Sequence, residues 1–149
     1  MRLTRTAAGL SGVALAASLL TGCGGDATDS YCASLEKQAP ALARTLDVGG
    51  AKQGLLDALP TLQELADEAP DDVASDWRTL LDALAGLQEA LDKADLEAAD
   101  VDGKLPADLP AADRKALEAA SIRLASPATV KAANAVDQHA RDVCHVPLF

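Results

Sequence analysis

Apolar residues recur at intervals of three and four along much of the chain after residue 30, which is the pattern of helices that bury one face. The clearest stripe follows Pro70-Asp71-Asp72, a favourable helix start because proline and acidic side chains suit the first turn. We therefore predict a long helix there, with Trp77 in its core-facing stripe. The apolar members of this stripe are Val73, Trp77, Leu80, Leu81, Leu84, Leu87 and Leu91.

Two shorter patterns predict helices before this one. Helix one begins at Asp29 or Ser30 and runs to about Leu46, where two glycines end it. Helix two runs over about 51–69. Each contains a proline, which removes one backbone hydrogen bond and predicts a kink or break. These prolines are Pro40 and Pro60.

The helical pattern fails over about 94–110, where acidic residues, Gly103 and two prolines predict a long loop. Helix four is expected over about 111–125, and Ser126-Pro127 is a good start for helix five. The tail over 146–149 is expected to fold back on the bundle. The predicted inward face of helix five consists of Val130, Ala133, Val136 or Asp137, Ala140, Val143 and Cys144.

Composition supports helices throughout the domain. Alanine and leucine dominate, and the chain has one Trp, one Tyr and one Phe, so the residues that favour strands are scarce. We predict an all-α fold over 30–149: an up-and-down bundle of four to five helices with one long crossover loop, closed by a terminal disulfide.

The N-terminus has the parts of a secretory signal. Arg2 and Arg5 precede an apolar stretch of 14 residues over 7–20, and small residues follow it. That stretch is shorter than the roughly 20 residues that a membrane-spanning helix needs. We therefore predict a signal peptide over 1–22 that is cleaved.

The residues at the predicted cleavage site, Leu20-Thr21-Gly22-Cys23, resemble the lipobox of bacterial lipoproteins. In that family a diacylglyceryl group is attached to the cysteine thiol, and the peptidase cuts just before it. The resemblance implies that Cys23 carries the lipid and that 23–29 is a lipidated tether. The alternative is an ordinary signal peptide with a chance cysteine.

The remaining two cysteines, Cys32 and Cys144, form an even pair in an exported protein, which favours a disulfide over two free thiols. Such a bond would place the end of helix five beside the start of helix one, so these helices would be antiparallel. Five helices joined by tight turns would instead leave them parallel. Either the segment 94–110 runs the length of the bundle, or one helix lies across it.

A wider resemblance rests on Tyr31-Cys32, Asp76-Trp77 and Val143-Cys144. With the high content of Ala and Asp, these pairs resemble small lipoproteins of high-GC Gram-positive bacteria. The resemblance implies fold and location, and it brings no established activity.

No motif for catalysis or for a cofactor is visible, and we predict no enzyme, no catalytic residue, no cofactor and no metal site. Asp100 and Asp102-Gly103 match part of a calcium loop, but Ala98 and Leu109 occupy positions where that loop needs acids. Three residues near the end of helix five could ligate a metal, but positions three and six apart drift around a helix. These residues are His139, Asp142 and His145.

After cleavage, 11 basic residues face 23 acidic ones, a net charge of −12 that disfavours nucleic acid. We predict a lipid-anchored protein on the extracytoplasmic face of the cell membrane, acting as a binding or envelope-interaction module. Its expected partners are the membrane, through the lipid, and an envelope protein; the oligomeric state stays open. The alternatives are a carrier of a small apolar ligand and an enzyme built on scattered carboxylates.

Overall fold

The computed structural model describes residues 25–101 and 105–149. The predicted signal peptide, the lipobox residues Leu20, Thr21 and Gly22, and the predicted lipid site Cys23 lie outside this range, as do Asp102 and Gly103. The described residues form helices and no strand, which confirms the all-α prediction. The elements are α1 (Gly25–Asp57), α2 (Leu59–Asp67), α3 (Asp71–Lys93), a 3-10 helix (Ala98–Val101), α4 (Ala111–Leu124) and α5 (Pro127–Asp142).

Helix α1 begins earlier than predicted and bends back on itself. A Cβ atom built on Gly54 would lie 2.8 Å from the carbonyl oxygen of Thr45 and 2.9 Å from Cα of Leu46. In a straight helix, residues eight positions apart are separated by about 12 Å. The chain therefore reverses between residues 46 and 54, close to the predicted end of helix one. The two arms run antiparallel, since Ser34 Oγ near one end donates to Glu68 Oε2 at 2.5 Å.

The prolines behave differently from each other. Helix α1 continues through Pro40 without a break. Helix α1 ends at Asp57 and α2 begins at Leu59, with Ala58 between them. Pro60 is the second residue of α2, where its missing N–H leaves no helical bond unmade. The break that we predicted for helix two is therefore at its proline, and the one at Pro40 is absent.

The close approach at Gly54 predicts opposite effects of one substitution at two glycines. Gly54→Ala should lower the free energy of unfolding by about 1–3 kcal/mol, because backbone atoms of the other arm must move. Gly86→Ala in α3 has no atom within 4 Å of its new Cβ and should raise it by about 0.5–1 kcal/mol. Urea unfolding of both variants checks this, and stabilisation by both would contradict the reversal.

Helix α3 is the centre of the bundle, and α2, α4 and α5 all contact it. Helix α4 packs on its C-terminal half, where Leu117 lies with Leu87 and Leu91. Helix α5 packs on its N-terminal half, where His139 lies beside Asp72. Helices α4 and α5 therefore follow one another along α3 as one interrupted limb. With α3 and the two arms before it, they make a four-limbed bundle.

This arrangement reconciles the disulfide with five helices. Because α4 and α5 share one limb, the end of α5 returns to the start of α1. The connection over 94–110 is long, as predicted, and its 3-10 helix contacts α1. It crosses from α3 to α4 at the end of the bundle, where Ala98 is buried with Leu56 and Leu91. The sequence predicted that a bundle-length segment or a transverse helix makes the first and last helices antiparallel. In the structure, the limb shared by α4 and α5 does this instead.

The predicted inward face of helix α5 is partly confirmed, since Val136 and Ala140 are buried and Ala133 and Cys144 pack against the core. Val130 and Val143, which we placed inward, are 49% and 46% exposed. Thr129 can be buried because its Oγ1 donates to the carbonyl of Arg123 at 2.8 Å. Ser126 caps the N-terminus of α5, because its Oγ accepts a hydrogen bond from the Thr129 N–H at 3.2 Å. This cap fixes the rotation of the helix that turns Thr129 inward. The buried residues of α5 are Thr129, Ala132, Val136 and Ala140.

The chain after α5 folds back on the bundle, as predicted. His145 adopts a φ of 60°, the left-handed conformation that ends many helices. The Val146 N–H then donates to the carbonyl of Ala140 at 3.0 Å, which completes the helix end. Leu148 is 5% exposed and belongs to the larger of two core clusters, here called the main core cluster. Its fully buried members include Tyr31, Leu35, Leu62, Leu65, Trp77, Leu84 and Val136.

Candidate functional site

The end of the bundle where α1 and α5 meet carries the disulfide. Cys32 and Cys144 are bonded across 112 positions of sequence, with their Cα atoms 4.9 Å apart. Both half-buried cysteines pack against the main core cluster. The sequence prediction of this pair is confirmed.

Next to the disulfide lies a buried polar contact that the sequence did not predict. The Trp77 Nε1–H donates to the hydroxyl oxygen of Tyr31 at 2.9 Å, and both side chains are fully buried. Trp77 is thus a core residue, as its place in the apolar stripe indicated. The hydroxyl oxygen of Tyr31 accepts the indole N–H of Trp77. The pair therefore links α1 to α3 without leaving that buried donor unpaired.

Burial raises the pKa of Tyr31 above its ordinary value of 10.0. The hydrogen bond from Trp77 opposes this shift, and the nearby negative charge of Asp72 adds to it. The pKa is therefore higher in the folded state than in the unfolded chain. The contribution of Tyr31 to stability is complete below pH 10 and is lost as the pH rises through the folded-state pKa.

Because Tyr31 is the single tyrosine, phenolate absorbance reports on this residue alone. The native protein should titrate above pH 10, together with loss of structure, whereas the urea-unfolded chain should titrate near 10. Circular dichroism recorded on the same samples separates the two events. Native titration at or below 10 would show that the hydroxyl is in contact with water.

His139 joins this group of side chains from α5. Its ring lies 5.7 Å from the ring of Tyr31, between centroids, and its Nε2 lies 3.4 Å from Asp72 Oδ2. The imidazole is 11% exposed and the carboxylate 70%, so solvent screens this pair strongly. The other ring nitrogen, Nδ1, is buried without a hydrogen-bond partner among the described residues.

A cleft of about 300 Å³, here called the disulfide-end cleft, opens between α3 and α5 beside His139. Most of its lining side chains are polar, and three are aspartates. Apolar atoms nevertheless make up most of its exposed surface, so the cleft offers both polar and apolar contacts. Its lining residues are Asp72, Val73, Asp76, Ala135, Gln138, His139, Asp142 and Val143.

A second cleft of about 440 Å³, here called the far-end cleft, lies at the other end of the bundle. Two amides are held in it by carboxylates one turn away: Gln53 Nε2 donates to Asp57 and Gln88 Nε2 donates to Asp92, each at 2.8 Å. The Gln53 Oε1 atom is buried and has no donor among the described residues. The lining residues are Gln53, Leu56, Asp57, Gln88, Leu91, Asp92, Asp95, Leu96, Glu97 and Ala98.

The structure does not bring all the residues that we considered as metal ligands together. His139 faces Tyr31 and Asp72 and lines the disulfide-end cleft with Asp142, whereas the exposed His145 does not line it. In the segment that partly matched a calcium loop, the Asp100 carboxylate accepts a hydrogen bond from the Glu97 N–H at 2.9 Å. This bond stabilises the local turn. Within the described ranges, no three His, Cys, Asp or Glu side chains are arranged to hold a metal ion.

The sequence offered no signal for the two clefts, because their walls come from segments that are far apart in the chain.

No helix within residues 25–101 and 105–149 is long and apolar enough to cross a bilayer. No protein-family model, curated protein or solved structure matches this chain.

Proposed function

We propose that this protein is a lipid-anchored binding module of the cell envelope, held on the outer face of the cell membrane and without catalytic activity. The observation that carries the location is the Cys32–Cys144 bond. Structural disulfides form and persist in oxidising compartments, which supports export. The lipobox-like residues that end at Cys23 supply the anchor in this proposal.

The start of α1 gives the proposed anchor a geometric consequence. The helix begins at Gly25, two residues after Cys23, so little of the expected tether is left to separate lipid and bundle. A lipid on Cys23 would hold the disulfide end close to the bilayer. The first arm of α1 rises about 30 Å from its start to its reversal. The far-end cleft would thus face away from the membrane and towards envelope partners.

The lining of the far-end cleft favours a binding module over a carrier of an apolar ligand. Polar and charged side chains line most of this cleft. The large apolar side chains of the main cluster fill the interior between the helices. These fully buried residues include Trp77, Tyr31, Leu35, Leu62, Leu65, Leu84 and Val136.

The anchor is tested by replacing its cysteine in the full chain. Cys23→Ala should abolish labelling by a radioactive fatty acid and leave the protein unprocessed or released. Cys32→Ala is the control, since it also removes one cysteine, here from the disulfide, but should remain labelled and bound to the membrane. Full membrane retention of a correctly cleaved Cys23→Ala product would contradict the proposal.

The binding role is tested by incorporating a photoreactive amino acid at single positions of the protein and irradiating intact cells that display it. At Asp95, an exposed residue of the far-end cleft, it should yield a specific cross-linked partner. At Asp82, an exposed aspartate of α3 outside both clefts, it should not. Equal cross-linking from both positions would argue against the far-end cleft as the binding surface.

A further inference from the structure

Residues His145–Phe149, here called the strap, cover the core beside the disulfide. The left-handed His145 turns the chain back, and Leu148 is then buried in the main core cluster. Cys32 and Cys144 pack against this same cluster. Through Leu148 the strap therefore covers part of the core cluster against which the half-buried cysteines pack.

One pair of charged residues on α5 holds the strap. Asp137 Oδ1 accepts the N–H groups of Leu148 and Phe149, at 3.0 and 3.2 Å. The other carboxylate oxygen of Asp137 pairs with Arg141 Nη2 at 2.6 Å, and that nitrogen also donates to the Phe149 carbonyl at 2.9 Å. Asp137 and Arg141, here called the clasp, thus bind three backbone groups of the strap. Hydrogen bonds to charged groups are about twice as strong as neutral ones.

We propose that the strap is a gate that controls reduction of the Cys32–Cys144 disulfide, and that the clasp keeps the gate closed. Thiol–disulfide exchange requires an attacking thiolate to reach a sulfur atom. With the strap closed, Leu148 and the cysteines share one core cluster, which restricts that approach. With the strap released, the core beside Cys144 is open to solvent.

The exchange itself is ordinary chemistry with a small dithiol as the reductant. One thiolate of the dithiol attacks a sulfur of the protein bond, and the displaced cysteine thiolate takes up a proton from water. The second thiolate of the dithiol then attacks the mixed disulfide and releases the second cysteine. The dithiol is oxidised to a cyclic disulfide, and Cys32 and Cys144 are reduced to thiols.

The strap can open without unfolding of the bundle. It lies outside α5, and besides the clasp its backbone bond to the helix is the one from Val146 to Ala140. Segments held by few contacts open locally at a lower free energy than the whole domain. Reduction through this route should therefore depend on the clasp and only weakly on global stability.

The test is the rate at which dithiothreitol reduces the bond in the purified full-length protein. Asp137→Ala should be reduced at least about tenfold faster than the wild type, because it removes two hydrogen bonds and one ion pair. Asp137→Asn keeps an acceptor for the two N–H groups, so its rate should lie between the two. Asp142→Ala, an exposed aspartate of the same helix, should be reduced at the wild-type rate.

A second variant separates local opening from global unfolding. Leu117→Ala weakens the other core cluster and leaves the clasp intact. If the strap is the gate, Leu117→Ala at matched stability is reduced more slowly than Asp137→Ala, and low urea hardly changes the Asp137→Ala rate. Equal rates for these two variants, or no acceleration in Asp137→Ala, would overturn the proposal.

Discussion

Replacing Cys32 and Cys144 together with alanine should lower the free energy of unfolding by about 4–5 kcal/mol. The bond closes a loop across 112 positions of sequence, so its loss frees most of the unfolded chain. Because the bond acts mainly by restricting the unfolded chain, the helices should persist in the native variant. A domain of this size is stable by about 5–15 kcal/mol in total, so the loss is a large share. Urea unfolding followed by circular dichroism measures it.

The wild-type protein after reduction is the matched control, because it loses the same constraint without a change of sequence. Both samples should keep near-native helical content in water and unfold at a similarly lowered urea concentration. A change below about 1 kcal/mol in both would mean that residual structure already keeps the two ends of the chain together in the unfolded ensemble.

The periodic part of the sequence predicted the helices well. The stripe of α3 is buried as expected except for the partly exposed Leu81, because a stripe more than five turns long has one way to face a core. Ser126-Pro127 marked the start of α5 because its capping and its fixed φ act locally. The pairing of Cys32 with Cys144 followed from cysteine count and predicted export. Local chemistry and simple counting were sufficient for these features.

Tertiary contacts determine the features that the sequence did not predict. The burial of Thr129 was not predicted, because it depends on a tertiary partner. Its hydroxyl donates a hydrogen bond to the carbonyl of Arg123, which makes a polar residue acceptable in the core. The contact of Tyr31 with Trp77 joins positions 46 apart, and no periodic pattern reports such a pair. The sharing of one limb by α4 and α5 likewise depends on how each meets α3. The clefts and the clasp follow from these choices.

Trp77→Ala should lower the free energy of unfolding by about 3–5 kcal/mol. The indole is fully buried at the level of Tyr31, so its removal leaves a large cavity in the main cluster and a tyrosine hydroxyl without its donor. Far-ultraviolet circular dichroism must report the unfolding, because Trp77 is the only tryptophan. Ala83→Gly, at a small buried residue of the same helix, is the control and should cost about 1 kcal/mol. Equal losses in the two variants would show that Trp77 does not anchor the core.

The disulfide and Trp77 stabilise the bundle by different routes, and their combination tests this. The bond acts by restricting the unfolded chain, whereas the indole acts by filling the native core. Effects on different states should add, so Trp77→Ala combined with reduction should cost about 7–10 kcal/mol. That sum is comparable to the whole stability of a small domain, and the reduced variant should have lost most of its helical signal without denaturant. A reduced Trp77→Ala protein that keeps native helical content and unfolds cooperatively would contradict additive losses of this size.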